Sequence, residues 1–248
     1  MEIKVALDHE ELSLMAAEKA ADYIRNNPNT LVCLAAGDTP LDMLRELVSM
    51  QSRGEVDLSS AWYAQLDEWI GLGANDKGSC IKVMTDTFFA PANIPKDRAM
   101  FFDGLDTDME YQCRKMECWI KAHGGIGFTL LGVGMNGHIG FNEPGTPDMP
   151  GCIIVPLDDT TKSVSQKYFG KELPVTTGIT IGWRTLLEAR TVVLMVSSTK
   201  KASIVREALE GHVTIDIPAS VFQRHKNVTV MLDEAASALL GRAPLITF

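Results

Sequence analysis

The sequence predicts an α/β fold in which a mostly parallel sheet carries helices on both faces. Short apolar runs alternate along the chain with segments that repeat apolar residues at helical spacing, and three of the runs lead into loops that contain glycine. The 248 residues suit one large α/β domain with a sizeable buried core. In chain order, strands are predicted over residues 3–7, 31–35, 62–66, 128–131, 191–196 and 227–232.

The helices are predicted from capping signals and apolar spacing. Asp8 followed by Glu11 forms a capping-box pattern, Leu12 and Met15 continue at helical spacing, and Pro28 lies just past the expected end. Further helices are predicted over residues 41–47, 81–89 and 106–123, after the strand at 191–196, and in a short segment that opens at 217–220.

The composition excludes several classes of protein. The net charge is −9 and no basic run occurs, so nucleic acid is not an expected partner. The chain opens without an apolar signal segment, and no uninterrupted apolar stretch could cross a bilayer, so no membrane association is expected. The five cysteines are odd in number, irregularly spaced and without a CxxC pair. They predict free thiols in the cytoplasm, in preference to a disulfide framework or a zinc site.

The chain shows no internal repeat, low-complexity segment or linker, so residues 1–248 are expected to form one domain. The segment 156–177 contains Ser, Thr, Lys and Gly without clear periodicity. We interpret it as a mobile lid, and an ordinary surface excursion is the alternative that the sequence leaves open.

A glycine-rich loop after the predicted strand at 128–131 carries the residues best suited to chemistry. His138 and Glu143 lie five residues apart in it, and Asn136 precedes the histidine by two residues. The backbone can turn tightly and approach a ligand at its four glycines, which are Gly132, Gly134, Gly137 and Gly140. Ligands of open α/β sheets bind beyond the carboxyl ends of strands, so this loop predicts a functional site more strongly than a plain surface turn.

Two other strand ends carry polar groups. The loop 36–40, Ala-Gly-Asp-Thr-Pro, connects a strand to a helix start, and this geometry offers backbone N–H groups to an anion. Asp67 and Glu68 follow the strand at 62–66, and Gly71 comes three residues after Glu68. Two carboxylates there are better placed for chemistry than for packing, although a strand-end cap is the structural alternative for Asp67.

The glycine-rich loop also carries a resemblance to a known family. Residues 134–145, Gly-Met-Asn-Gly-His-Ile-Gly-Phe-Asn-Glu-Pro-Gly, resemble the signature of the glucosamine-6-phosphate deaminase (isomerase) family, and further matching segments run along nearly the whole chain. The related 6-phosphogluconolactonases share the Gly-His but lack the Asn-Glu-Pro. The resemblance implies a Rossmann-like fold and conversion of an amino sugar 6-phosphate to the ketose 6-phosphate and ammonia, without a metal or organic cofactor.

The resemblance assigns catalytic roles by position. His138 corresponds to the histidine that opens the sugar ring, Glu143 to the carboxylate that works with it, and Asp67 to the base that removes the C2 proton. Asn136 departs from the best-known pattern, which has an aspartate there. An amide oxygen can fix the histidine tautomer, but it cannot stabilise an imidazolium as a carboxylate would.

The predicted substrate site departs further from the family pattern. Gly134 and Gly137 are expected beside the sugar, and the phosphate is expected at a set of residues that comprises Ala36, Gly37, Asp38, Thr39, Lys167 and Lys201. Ala36 replaces a hydroxyl donor, Lys167 replaces an arginine, and Asp38 adds a negative charge. We expect Asp38 to point out of the loop, where it either caps the following helix through Leu41 or Asp42 or meets a nearby cation.

The choice of sugar stays open at this point. Gly78-Ser79-Cys80 and Pro150-Gly151-Cys152 resemble the galactosamine-6-phosphate branch more than the glucosamine-6-phosphate branch. The segment after Glu143 lacks the basic residues of the activator site of allosteric members. Two alternative functions remain, a 6-phosphogluconolactonase-like hydrolase and a non-catalytic sugar-phosphate sensor, and a homo-oligomer is compatible with the sequence.

Overall fold

The computed structural model describes residues 1–169 and 175–241. The strands within these ranges are β1 (Glu2–Ala6), β2 (Leu31–Leu34), β3 (Trp62–Gln65), β4 (Asp67–Trp69), β5 (Ala99–Met100), β6 (Ile126–Gly132), β7 (Cys152–Pro156), β8 (Thr177–Ile181), β9 (Thr191–Val196) and β10 (Val228–Asp233). The helices are α1 (His9–Asn26), α2 (Leu41–Ser52), α3 (Cys80–Met84), α4 (Met109–Ala122), α5 (Asp159–Phe169), α6 (Trp183–Leu187), α7 (Ala202–Glu210) and α8 (Glu234–Ser237). A π-helical turn, Thr85–Phe89, continues α3, and Pro218–Arg224 forms a 3-10 helix.

Seven strands form a parallel sheet in the order β1-β10-β9-β6-β2-β3-β5. After β2 the chain moves outward through β3 and β5, and after β6 it moves outward in the other direction through β9 and β10. The order in which successive strands are added to the sheet therefore reverses between β2 and β6, which pair in parallel in the middle of the sheet. Such a switch point opens a crevice at the carboxyl ends of the two strands.

Helices cover both faces of this sheet, as the sequence predicts. Along β2, Leu31 and Cys33 belong to the core on one face, whereas Val32 and Leu34 belong to the core on the other. The first core also includes side chains of α4 and α7, and the second includes side chains of α1 and α2. Successive strand side chains point to opposite faces, so an unbroken apolar run is what a strand covered on both sides requires.

The antiparallel sheet formed by β4, β8 and β7 was not predicted. The chain leaves β3 after Gln65 and enters β4 at Asp67, which pairs with Thr180 of β8. The side chain of Gln65 stabilises this change of sheet, because its amide nitrogen donates to the carbonyl oxygen of Asp67 at 2.8 Å and its oxygen accepts from the backbone N–H of Phe102 at 2.8 Å. Asp67 consequently lies at the junction of the two sheets.

The predicted cap of the first helix forms at Asp8, but the reciprocal bond of a capping box comes from Leu7 and not from Asp8 itself. The backbone N–H of Glu11 donates to the Asp8 side chain at 2.9 Å, and the Glu11 carboxylate accepts from the backbone N–H of Leu7 at 2.5 Å. All five cysteines are free thiols. In the described parts of the chain, no helix is both long enough and apolar enough to traverse a membrane.

Helix α5 lies inside the segment 156–177 that the sequence marks as a lid, although no helix was predicted there. Residues 170–174 of that segment lie outside the described residues. Polar residues dominate α5, and a threonine, Thr161, is among its buried positions together with Phe169. The apolar spacing that reveals a helix is therefore weak, and the mobility of the segment stays a prediction.

Candidate active site

A cavity of about 760 Å³ opens at the carboxyl edge of the parallel sheet. It lies at the switch point, between the loops that follow β2 and β6, and β4, the segment that follows β9 and α5 also contribute to its walls. Nine of the predicted site residues line it, namely Ala36, Gly37, Asp38, Thr39, Asp67, Gly134, His138, Lys167 and Lys201. Asn136, Gly137 and Glu143 are not part of this lining, and the first and last of them are hydrogen-bonded to each other beside the histidine.

The imidazole of His138 is held between a carboxylate and the cavity. Its Nδ1 lies 3.3 Å from Oε2 of Glu143. An ionised carboxylate can only accept, so Nδ1 carries the proton, and Nε2 of a neutral ring is then free to accept one. The ring packs against the backbone of Gly134, where a Cβ would lie 2.3 Å from Nε2. Gly134 is therefore required for the ring to reach its position.

Glu143 is buried, with 5% of its surface exposed. Burial acts to raise its pKa, but the hydrogen bond and charge of His138, together with Thr161 and Asn136, outweigh burial and hold the pKa below its usual value. Glu143 therefore remains a carboxylate at neutral pH and favours the tautomer of the histidine that carries its proton on Nδ1.

Asn136 joins the histidine loop to the start of α5. Its Oδ1 accepts from the backbone N–H of His138 at 3.2 Å, while its Nδ2 donates to Glu143 Oε2 at 3.0 Å and to Asp158 Oδ1 at 3.3 Å. The reverse orientation of the amide would place its oxygen against two carboxylates, so the network defines the assignment. An aspartate, the residue of the best-known family pattern, could not bridge Glu143 and Asp158 in this way.

Gly137 is not among the residues that line the cavity, and its backbone has a packing role. Its φ is +84°, in the left-handed region that favours glycine, and a Cβ there would lie 2.8 Å from Cγ2 of Ile217. Its carbonyl oxygen accepts from the backbone N–H of Ala219 at 2.9 Å. Gly137 therefore packs the loop against the 3-10 helix that follows α7.

The carboxylates of Asp67 and Glu68 diverge. Asp67 faces the cavity with 8% of its surface exposed, and Oδ2 lies 3.2 Å from the position of a Cβ on Gly140. Burial and the charge of Glu68 raise the pKa of Asp67 to about 7, against the opposing effect of the Cys80 thiol. A carboxylate with such a pKa can accept and release a proton near neutrality.

Glu68 is fully buried and faces the beginning of α3. Its two oxygens accept from the backbone N–H groups of Trp69, Cys80 and Ile81 at 2.8, 2.9 and 2.8 Å, and from the Gln65 amide at 3.0 Å. These bonds attach β4 to α3. Of the two carboxylates that the sequence marks at this strand end, only Asp67 lines the cavity.

Two lysines also line the cavity, beside the loop that follows β2. Lys201 donates to Oγ1 of Thr39 at 3.4 Å, and burial lowers its pKa although the charge of Asp38 opposes this. Lys167 forms an ion pair with Asp38. Burial acts to lower the pKa of Lys167, but Asp38 and Tyr168 outweigh it and raise the pKa. Asp38 thus meets a cation, which was one of its two predicted arrangements, but both residues line the cavity, contrary to the expectation that Asp38 points away from it.

The other predicted arrangement of Asp38 is wrong, because no side-chain hydrogen bond caps α2. The N–H of Leu41 instead donates to the backbone oxygen of Asp38 at 3.3 Å. The Lys167 ion pair draws the Asp38 carboxylate away from the helix start and towards α5. The neighbouring Gly37 has open space on the side where a Cβ would lie, with no other atom within 4 Å of that position.

Sequence reasoning missed several residues of the cavity wall. Thr161 and Tyr168 belong to α5, which carries no clear periodicity, and Trp69 and Phe141 approach from the unpredicted sheet and the histidine loop. Ser198 follows β9 with φ +95°, a strained conformation for a residue other than glycine. The one feature of the sequence that indicates a role for Ser198 is its position two residues after the end of a buried strand.

The fold and the cavity define an α/β protein with a ligand site at the switch point of a parallel sheet. Residues 8–231 match the family model described as glucosamine-6-phosphate isomerases/6-phosphogluconolactonase. The chain belongs to this family.

Relatives within the family match almost the whole chain. A glucosamine-6-phosphate deaminase of Thermoanaerobacter sp. (strain X514) is 36% identical over 242 residues, which are 97% of this chain and 95% of that protein. Glucosamine-6-phosphate deaminase 1 of Bacillus subtilis (strain 168) is 34% identical over 240 residues, or 96% of this chain and 99% of that one.

Solved structures agree with the fold. A monomeric glucosamine-6-phosphate deaminase superposes with a TM-score of 0.93 at 34% identity, covering 96% of this chain and all 100% of that chain. A 6-phosphogluconolactonase from Thermotoga maritima gives a TM-score of 0.74 at 21% identity over 94% of this chain and 98% of that one. At 21% identity, the similarity to the Thermotoga maritima protein shows a shared fold and nothing more.

The bridge made by Asn136 leads to a stability prediction. Asn136→Asp should lower the free energy of unfolding at pH 7 by about 1–2 kcal/mol, because three carboxylates would then meet without the bridging donor. Urea unfolding measures the change. Asp158→Asn, combined with Asn136→Asp, should recover part of the loss, since an amide at 158 restores a donor. Strictly additive losses in the double variant would show that the two residues are not coupled.

Proposed function

We propose that this protein is an amino-sugar-6-phosphate deaminase that converts glucosamine 6-phosphate and water to the ketose 6-phosphate and ammonia. The observation that carries the proposal is the cavity itself, which has a histidine–carboxylate pair, a titratable aspartate and two lysines. The names of the relatives support the same reaction and do not favour the lactonase or the sensor.

Ring opening is the first step and is assigned to His138. With Nδ1 donating to Glu143, the free Nε2 accepts the proton of the C1 hydroxyl and returns a proton to the ring oxygen as the C1–O bond breaks. Glu143 does not line the cavity, and it acts by holding the tautomer and by stabilising the ring while it carries the extra proton.

Proton transfer from C2 to C1 is the second step and is assigned to Asp67. The open-chain aldehyde makes the C2 proton acidic, so a carboxylate at the cavity wall can remove it, and the proton is then returned at C1. The C2 nitrogen becomes an imine, which water hydrolyses to the ketone as ammonia leaves. The sequence of steps needs no external oxidant or reductant, because C1 is reduced from an aldehyde to an alcohol while C2 is oxidised to the level of a ketone.

The phosphate is assigned to the two lysines of the cavity. Lys201 and Thr39 are already hydrogen-bonded to each other there, and Lys167 reaches the same loop from α5. Ala36, Gly37 and Asp38 form the loop between β2 and α2, whose backbone N–H groups add to the attraction for an anion. Asp38 competes with the phosphate for Lys167, so the two cannot both satisfy that lysine fully.

Other features of the proposal rest on the sequence. The two Cys-containing motifs at 78–80 and 150–152 support galactosamine 6-phosphate as a second substrate, and the free thiols support a cytoplasmic location. We place the whole activity in one domain with α5 in the lid. A homo-oligomer is not required by the assigned roles, because each assigned side chain belongs to this chain.

The reaction is tested by incubating the pure protein with glucosamine 6-phosphate, galactosamine 6-phosphate, unphosphorylated glucosamine and 6-phosphogluconolactone. Ammonia and ketose phosphate should form in equal amounts from a phosphorylated amino sugar, and the unphosphorylated sugar should react poorly because the lysines lose their partner. Lactone hydrolysis without ammonia would replace the proposal with the lactonase, and binding without turnover would replace it with the sensor.

The assignment of Asp67 predicts a pH dependence. Asp67 must be unprotonated to accept the C2 proton, and its pKa is about 7, so kcat/KM should fall as the pH is lowered through about 7. Asp67→Asn should slow exchange of the C2 proton with solvent deuterium by about a hundredfold or more, with little change in ligand binding. Exchange at the wild-type rate in this variant would remove Asp67 from the mechanism.

The Asp38–Lys167 pair predicts a modest change in KM. Both side chains are about half exposed, and such ion pairs contribute at most about 1 kcal/mol, so Asp38→Asn should lower KM for the phosphorylated sugar by less than about fivefold. Lys167→Met should raise KM instead. Asp148→Asn removes an equally exposed ion pair with Arg184 and serves as the matched control, for which KM should not change.

Initial rates over a range of sugar concentrations supply these KM values. A gain in affinity of more than about tenfold on Asp38→Asn would mean that Asp38 meets the ligand as an unpaired charge. The natural substrate would then differ from a simple 6-phosphate at that end.

A further inference from the structure

Helix α5 contacts the histidine loop through Thr161, to which the proposed mechanism assigns no step. The hydroxyl oxygen of Thr161 lies 3.1 Å from Nδ1 of His138, closer than the Glu143 carboxylate oxygen at 3.3 Å. Thr161 is buried, with 5% of its surface exposed, and it lines the cavity. The ring of His138 therefore has two partners at Nδ1, one on its own loop and one on α5.

The direction of these hydrogen bonds follows from proton counting. Because Nδ1 carries the proton, the Thr161 oxygen accepts from it, and the hydroxyl proton of Thr161 is left free for another acceptor. Thr161 is also among the groups that hold the pKa of Glu143 low. Its hydroxyl therefore lies beside both members of the histidine–carboxylate pair, with its direct contact to the imidazole.

The same helix also reaches the predicted phosphate loop. Lys167 lies six residues beyond Thr161, which is about 9 Å along a helix axis, and it pairs with Asp38 in the loop after β2. The residue that precedes α5 is also attached to the histidine loop, through the bond between Asp158 and Asn136. The position of α5 against the histidine and its position against the phosphate loop are consequently set together.

We propose that Thr161 is a positioning residue, whose hydroxyl holds the imidazole of His138 in the tautomer and orientation that ring opening needs whenever α5 is seated on the cavity. This inference rests on the proposed function and deepens it. Thr161 does not exchange a proton with the sugar. It acts through His138, and it makes ring opening depend on the contact of α5 with both ends of the substrate.

A purely structural role for Thr161 would give different results. A buried threonine can also serve by filling space with its methyl group, and valine preserves that shape while removing the hydroxyl. Serine does the reverse, because it keeps the hydroxyl and removes the methyl group. Thr161→Val and Thr161→Ser therefore separate hydrogen bonding from packing, and Thr161→Ala provides a second hydroxyl-free variant if valine does not fit.

The kinetic test compares ring opening with the later steps. Thr161→Val should reduce kcat for the cyclic amino sugar phosphate about fivefold, the effect of losing one hydrogen bond, and should leave the rate with an open-chain analogue within about twofold. Thr161→Ser should restore the rate with the cyclic sugar. Thr107→Val changes an exposed threonine outside the cavity and controls for the substitution itself. Equal losses with both substrates, or equal rates for the valine and serine variants, would overturn the proposal.

A second readout does not depend on turnover. The ¹⁵N shifts of the His138 ring in the unliganded protein report which nitrogen carries the proton. Wild type and Thr161→Ser should show the Nδ1–H form, and the valine and alanine variants should show a mixture with the Nε2–H form. Unchanged ring shifts in these variants would refute the role of Thr161 even in an active enzyme. If no sugar phosphate were deaminated, the ring shifts would still decide the positioning role, and only the proposed function would fail.

Discussion

Two buried carboxylates determine how the site is assembled, because a charge removed from water must be given hydrogen-bond donors by the protein. Glu68 receives them from the backbone at the start of α3 and from Gln65, and these bonds join the antiparallel sheet to its neighbouring helix. Glu143 receives them from His138 and Asn136, and these bonds define the histidine loop. Replacing either carboxylate would leave buried donors without a partner.

The same constraint separates the two carboxylates of the proposed mechanism. His138, Thr161 and Asn136 together keep the pKa of Glu143 low, whereas burial and the neighbouring charge of Glu68 raise the pKa of Asp67 to about 7. A carboxylate that stays ionised suits the support of a histidine, and one that titrates near neutrality suits proton transfer. The proposed division of roles therefore follows from the donors around each group.

Particular residues show how far the sequence could be interpreted. The apolar runs around Leu31 and Phe128 predicted buried strands, because a strand covered on both faces has no polar side. Asp67 and His138 were each predicted near the end of an apolar strand, and their catalytic roles came from the resemblance to the family. Helix α5 could not be predicted, since its turns carry few apolar residues and two of its contacts with the site are made by the polar side chains of Thr161 and Lys167. Thr161 was missed for the same reason.

The sequence by itself determined the parallel sheet, the covering of both its faces and the loops that hold the predicted catalytic groups. These depend on local periodicity and on glycines, which act over a few residues. Only the tertiary structure decided which side chains meet across the cavity: Asp38 with Lys167, Asn136 with Asp158, and Thr161 with His138. Each pair joins segments separated by at least 22 residues along the chain, and such contacts are set by how α5 packs over the sheet edge, which local sequence patterns do not encode.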